Sequence, residues 1–118
     1  MNDKVLHLKE FLERVQGDRE LLLELFDIYI EDYGVKRKKL EEAIRDENFE
    51  EVRNIAHSLK GASGNISAKA MRDLFFQAEE MGRNAKLVDT DKLLLDIDKQ
   101  YILLEEEINE ARKKYKQQ

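Results

Sequence analysis

The sequence predicts an all-α fold, an antiparallel up-down-up-down four-helix bundle with a short additional N-terminal helix. Three observations carry this. Apolar residues recur at alternating spacings of three and four along three long stretches and, less regularly in its middle, along a fourth. The stretches are joined by short turns, which pack neighbouring helices antiparallel. The chain has no proline and 5 glycines in 118 residues and is 40% charged, which suits long uninterrupted helices with solvated outer faces. No stretch alternates in the manner of a strand. The length fits one domain, 1–118, able to bury roughly two thirds of the surface its unfolded form exposes.

The first element is read over Asp3–Val15, where Val5, Leu8, Phe11 and Leu12 share a face. Gly17 is positioned to end it and Asp18 to cap the next helix. His7 has no lysine or glycine a turn later and is assigned no chemistry. A long helix follows over Arg19–Arg45, with Leu22, Leu25, Tyr29, Leu40 and Ile44 on its buried face and Gly34 as a point of bending. The run Lys36, Arg37, Lys38, Lys39 reads first as a solvated face. Asn48, with Glu51 three residues on, makes a capping-box-like start for a helix over 49–65. Ser67 is the expected N-cap of a helix running to about Asn84, with a seam of Met71, Leu74, Ala78, Met81 and Ala85. The last helix, Thr90–Tyr115, repeats Leu94, Ile97, Tyr101, Leu104, Ile108, Ala111 and Tyr115. That repeat also suits a coiled-coil strand, but closing a bundle with three other amphipathic helices is the simpler solution.

Composition excludes several classes of function. With no cysteine, neither a disulfide framework nor a thiolate metal site can form, and two histidines do not make a histidine-rich one, so no metal ligands are assigned. No apolar run approaches the roughly 20 residues of a membrane span, and the N-terminus lacks an apolar signal core. A soluble, cytoplasmic protein without membrane attachment is expected. The net charge of −5 argues against nucleic acid as a partner. No glycine-rich nucleotide loop is present, so the chain is expected to have no ATP-dependent kinase site and no bound cofactor of its own.

The functional signal lies in RNIAHSLKGASGNIS, Arg53 to Ser67. On a helical wheel Val52, Ile55, Leu59, Ala62 and Ile66 fall within about 40° of one direction, and His57 points almost directly away from it. The imidazole is therefore expected in solvent. Arg53 and Asn54 lie one turn before it on the outer face, Lys60 and Gly61 one turn after, and Gly64 two turns after. Each helix-interior glycine costs about 0.8–1.0 kcal/mol relative to alanine, so two on the exposed face suggest space cleared for another macromolecule's backbone, with Lys60 a positive charge for an anion at the ring. An ordinary surface histidine near a helix end frayed by glycine is an equally good reading of these residues alone.

Residues equidistant from a short turn lie at one height of an antiparallel pair. By that argument the run around Arg37 and the pair Phe75 and Phe76 are level with His57. Phe75 flanks the seam and is expected in the core. Phe76 points away from it, either as an exposed docking patch beside the histidine or tucked under the first helix.

HSLKGASGN resembles the signature of histidine-containing phosphotransfer (HPt) domains, in which a histidine is followed by x, an apolar residue, Lys and Gly. FLERVQGDRELLLELFDIYIED and AKAMRDLFFQAEEMGR also resemble that family's flanking helices, so the likeness runs from about Val5 to Arg112. Ser67 stands where the family usually has a further glycine, and Gly34 where many members have a proline. The resemblance implies that His57 is the phosphoacceptor and that Lys60 supports the phosphoryl oxygens. Gly61, Gly64, Asn54, Arg53 and Phe76 would form the surface a partner approaches. It also implies that the partner is the receiver domain of a response regulator or hybrid histidine kinase, which brings the Mg²⁺ and the catalytic groups. A monomer is expected. Two other readings stand beside this carrier role: a helical adaptor that binds a receiver without phosphotransfer, and the phosphoacceptor domain of a chemotaxis-type histidine kinase.

Overall fold

The computed structural model describes residues 5–116, so the first two residues of the expected N-terminal helix, Asp3 and Lys4, lie outside the described part. Among the described residues there are five helices and no strand: α1 Leu8–Arg14, α2 Arg19–Arg45, α3 Phe49–Asn65, α4 Lys69–Arg83 and α5 Thr90–Lys116. α1 is shorter than expected, and Val5 and Leu6 precede it in non-helical backbone, buried. The Glu107 carboxylate of α5 accepts hydrogen bonds from both of their backbone N–H groups. α2 matches its expected span and passes Gly34 as a continuous helix.

Two caps act as expected. Asp18 accepts from the Leu21 N–H at 3.0 Å and Asn48 from the Glu51 N–H at 3.2 Å, each satisfying one of the donors a helix start leaves free. The reciprocal half of the capping box is absent, because the Asn48 N–H donates to the Ala43 carbonyl instead. That bond belongs to a recurring device. α1, α2, α3 and α4 all end in a Schellman motif, with Gln16, Glu47, Ser67 and Ala85 in the left-handed region at φ between 51° and 62°. Glycine usually takes that position, and none of the four is glycine.

Three sequence expectations are refined or changed as a result. Gln16 begins the turn out of α1 in the left-handed region, and Gly17, expected to end the helix, follows it there at φ 78°. Ser67 is the left-handed residue closing α3, and the N-cap of α4 is Ala68, which has no side-chain acceptor to offer. Ala85 lies beyond α4, exposed, and is no part of a packing seam.

Contacts run around the four long helices, from α2 to α3, α3 to α4, α4 to α5 and α5 back to α2. On α2 and α3, Tyr29 pairs with Ser63 and Lys36 with Ser58. On α2 and α5, Tyr33 stacks on Tyr101 with ring centroids 3.8 Å apart, Arg37 forks onto Asp98, and Asp27 meets Arg112. In each pair, rising numbers on one helix meet falling numbers on the other. α1 lies against α2 through Phe11 and Phe26.

The core is apolar and continuous, with Leu22, Phe26, Leu40, Val52, Leu59, Met71, Phe75, Ile97, Leu104 and Ile108 at its centre. The buried stripes are rotated from those read off the sequence. On α3 the buried residues are Val52, Ala56, Leu59 and Ser63, with Ile55 and Ala62 only half-buried. On α4 they are Met71, Phe75, Ala78, Glu79 and Gly82, with Leu74 and Met81 half-buried. Leu25, Leu94 and Tyr101, expected in the core, are half-buried too, whereas Phe26, Tyr33 and Leu93 are inside.

The α3–α4 seam explains the rotation. Small residues let the two helices approach until their backbones touch. A Cβ at Gly82 would lie 2.5 Å from the Arg53 nitrogen, 2.8 Å from the Phe49 carbonyl oxygen and 2.9 Å from the Arg53 Cα. Only glycine fits there.

Candidate functional site

His57 stands in the middle of α3, and its side chain is 69% exposed, as the helical wheel predicts. The ring leans toward α4, where Nδ1 is 2.8 Å from Glu79 Oε2. The Glu79 side chain is 3% exposed. It enters the site because the close approach at Gly82 brings the next turn of α4 against the outer flank of α3. A buried carboxylate needs charged or hydrogen-bonding partners, and Glu79 has three: His57 Nδ1, Lys60 Nζ at 2.6 Å from Oε1, and Arg83 Nη2 at 3.4 Å from Oε2. Burial pushes the Glu79 carboxyl up, but the hydrogen bonds and positive charges of Lys60 and His57 more than offset this and hold it below its ordinary value of 4.5.

An ionised carboxylate only accepts hydrogen bonds, so the His57–Glu79 contact places the imidazole proton on Nδ1. Nε2 then carries the free lone pair.

Lys60 is less free than the sequence suggests. Its side chain is 27% exposed, salt-bridged to Glu79, with Nζ 5.4 Å from the centre of the Phe76 ring. Phe76 is 48% exposed, so of its two expected placements it takes the outer one. Arg53, Asn54 and Gly61 are exposed and Gly64 is half-buried. A Cβ at Gly61 would meet nothing within 4 Å, whereas one at Gly64 would meet only the flexible Arg72 side chain, 3.5 Å away. The Gly64 carbonyl accepts from Arg14 of α1.

The basic run divides. Lys36 donates to Ser58, the neighbour of His57, at 2.6 Å and pairs with Asp32. Arg37 is held by Asp98 and Glu41. Lys38 and Lys39 are exposed. The run is thus level with His57, as the distance from the turn predicts, but only Lys36 reaches α3. Among the described residues no group of three or more His, Cys, Asp or Glu side chains is arranged to hold a metal ion, and no helix is long and apolar enough to cross a membrane.

With this geometry in view, a family model described as the Hpt domain matches residues 24–114. The chain belongs to the Hpt domain family. Among solved structures, the fold of this Hpt domain is similar to the crystal structure of histidine-containing phosphotransfer protein B (HptB) from Pseudomonas aeruginosa PAO1, with a TM-score of 0.87. The two are 19% identical, over 97% of this chain and 99% of that one, so the likeness speaks for the fold. Comparison with curated proteins finds no match.

Glu79 and Arg83 are the site residues that sequence reasoning missed in this Hpt domain. The available signal was positional. Glu79 falls four residues after Phe75 and three before Gly82, which makes it a carboxylate on an apolar helix face. Such a residue calls for a cationic partner. From the α3–α4 turn it is slightly farther along one helix than His57 is along the other.

Proposed function

We propose that this Hpt domain is a phosphohistidine carrier in a multistep phosphorelay, holding a phosphoryl group on His57 Nε2 in transit to or from a receiver-domain aspartate. The observation that supports it most directly is the 2.8 Å contact of an exposed imidazole with a buried, ionised Glu79, which favours the tautomer with its proton on Nδ1 and its lone pair on Nε2. Family membership supports the same reading.

The transfer balances without an added base. The Nε2 lone pair attacks the phosphorus of the receiver's aspartyl phosphate and forms an N–P bond. The P–O bond to the aspartate breaks, and its electron pair leaves with the carboxylate. The proton stays on Nδ1, where Glu79 stabilises the positive charge that develops on the ring, and the reverse transfer retraces the path. Mg²⁺, held by the receiver, would neutralise charge on the phosphoryl oxygens. Lys60 is the cation this chain would add. Gly61, with open space around it, lets the receiver backbone come close, and Arg53, Asn54, Gly64 and Phe76 frame the approach. The opposed numbering of the inter-helix contacts supports an antiparallel up-down-up-down arrangement of α2–α5, and we take the domain to act as a monomer.

The test is direct. Phosphorylated receiver with Mg²⁺ is expected to label this protein with an acid-labile, alkali-stable adduct, and the His57→Gln variant is expected to take no label. Receiver binding without labelling would favour the adaptor role instead, and undiminished label on His57→Gln would remove His57 from the chemistry.

A further inference from the structure

In the unphosphorylated site Lys60 is already committed. Its Nζ lies 2.6 Å from Glu79 Oε1, yet the carrier reading asks it to face a phosphoryl group on Nε2. A phosphoryl group on the ring adds an exposed anion within a turn of Lys60, in competition with the buried Glu79. If Lys60 turns outward, Glu79 keeps the Nδ1–H of His57 and the long 3.4 Å contact with Arg83, and a buried carboxylate with so loosely held a cation is disfavoured.

Arg83 stands ready to replace it. It lies one turn along α4 from Glu79, with Nη2 at 3.4 Å from Oε2, longer than a charge-assisted hydrogen bond at its best. Its side chain is 48% exposed, and its other terminal nitrogen meets Glu80. The guanidinium is thus already in loose contact with the Glu79 carboxylate, on Oε2 rather than on the Oε1 that Lys60 occupies.

We propose that Arg83 is a positioning residue of the phosphorylated state, taking over charge compensation of Glu79 so that Lys60 can turn to the phosphoryl oxygens. This rests on the carrier reading of His57. Without Arg83, Lys60 stays on Glu79 and the phosphoryl dianion is less well screened.

The experiment uses phosphoramidate, a small-molecule donor that phosphorylates histidine, on the full chain, and follows the phosphohistidine ³¹P shift across a pH titration. Arg83→Gln is expected to raise the phosphoryl pKa by about 0.5 unit, and Arg83→Lys to restore it. In a Lys60→Gln background Arg83→Gln is expected to have no further effect, since Arg83 acts through Lys60. A shift that persists in that background would mean that Arg83 acts on the phosphoryl group directly and would overturn the inference. So would Arg83→Gln titrating like the wild type. If the wild type forms no phosphohistidine, the carrier reading fails and takes this inference with it. Circular dichroism of each variant checks that the helices are intact.

Discussion

Replacing Gly82 with alanine tests whether the α3–α4 seam sets both stability and the site. The new methyl carbon would sit 2.5–2.9 Å from backbone atoms of Phe49 and Arg53. Reaching ordinary carbon contact near 3.5 Å requires the helices to part by about 1 Å. Backbone cannot yield as a side-chain tip can, so the overpacking cost should lie toward the upper part of about 1–3 kcal/mol. The better helix propensity of alanine returns about 1 kcal/mol, leaving a net loss of about 1–2 kcal/mol. For a domain of this size each kcal/mol lowers Tm by about 4 °C. A parting of that size also stretches the 2.8 Å His57–Glu79 bond out of hydrogen-bond range, so phosphotransfer to His57 should slow as well. Gly61→Ala is the control, because nothing lies within 4 Å of its Cβ position. It should gain about 0.8–1.0 kcal/mol while slowing phosphotransfer from a receiver by about tenfold through a clash worth roughly 1.4 kcal/mol. Urea melts and receiver-to-His57 transfer rates on both variants measure this. Gly82→Ala as stable as the wild type, or Gly61→Ala as unstable as Gly82→Ala, would refute the packing argument.

Two further outcomes are expected. Ser67→Gly should stabilise the domain by about 0.5–1 kcal/mol in a urea melt, since Ser67 holds φ +62°, a left-handed conformation that costs a non-glycine residue about 1–2 kcal/mol, partly offset by the greater freedom of glycine in the unfolded chain. Glu79 should make stability depend on acid pH. Its folded-state pKa lies below 4.5, so the folded protein binds fewer protons there than the unfolded one, and the Glu79 contribution is full above about 4.5 and is lost as pH falls through the depressed value. Stability measured down the acid range should therefore fall more steeply for the wild type than for Glu79→Gln, and parallel curves would contradict the pairing.

Most of the helices can be placed from local sequence alone. The span of α2, the start and end of α3, the caps Asp18 and Asn48 and the outward His57 all follow from local rules: periodicity, cap chemistry and distance from a turn, whereas for Phe76 those rules left two placements open. The left-handed helix ends at Gln16, Glu47, Ser67 and Ala85 were not legible, because none is the glycine that usually marks such a position. The packing of α3 on α4 set the angle of their buried faces, although Val52, Leu59, Met71, Phe75 and Ala78 lie inside as expected. Ser63 and Gly82 carry weak hydropathy signals and Ala56 is outweighed by its neighbour Ile55, so a reading weighted toward Ile55, Leu74 and Met81 rotates the α3 and α4 stripes off their true angle. The small residues win because they allow the helices to touch. That contact turns Glu79 inward against His57 and Lys60, and so joins two residues legible in the sequence to a third that only the packing of α3 on α4 brings to them.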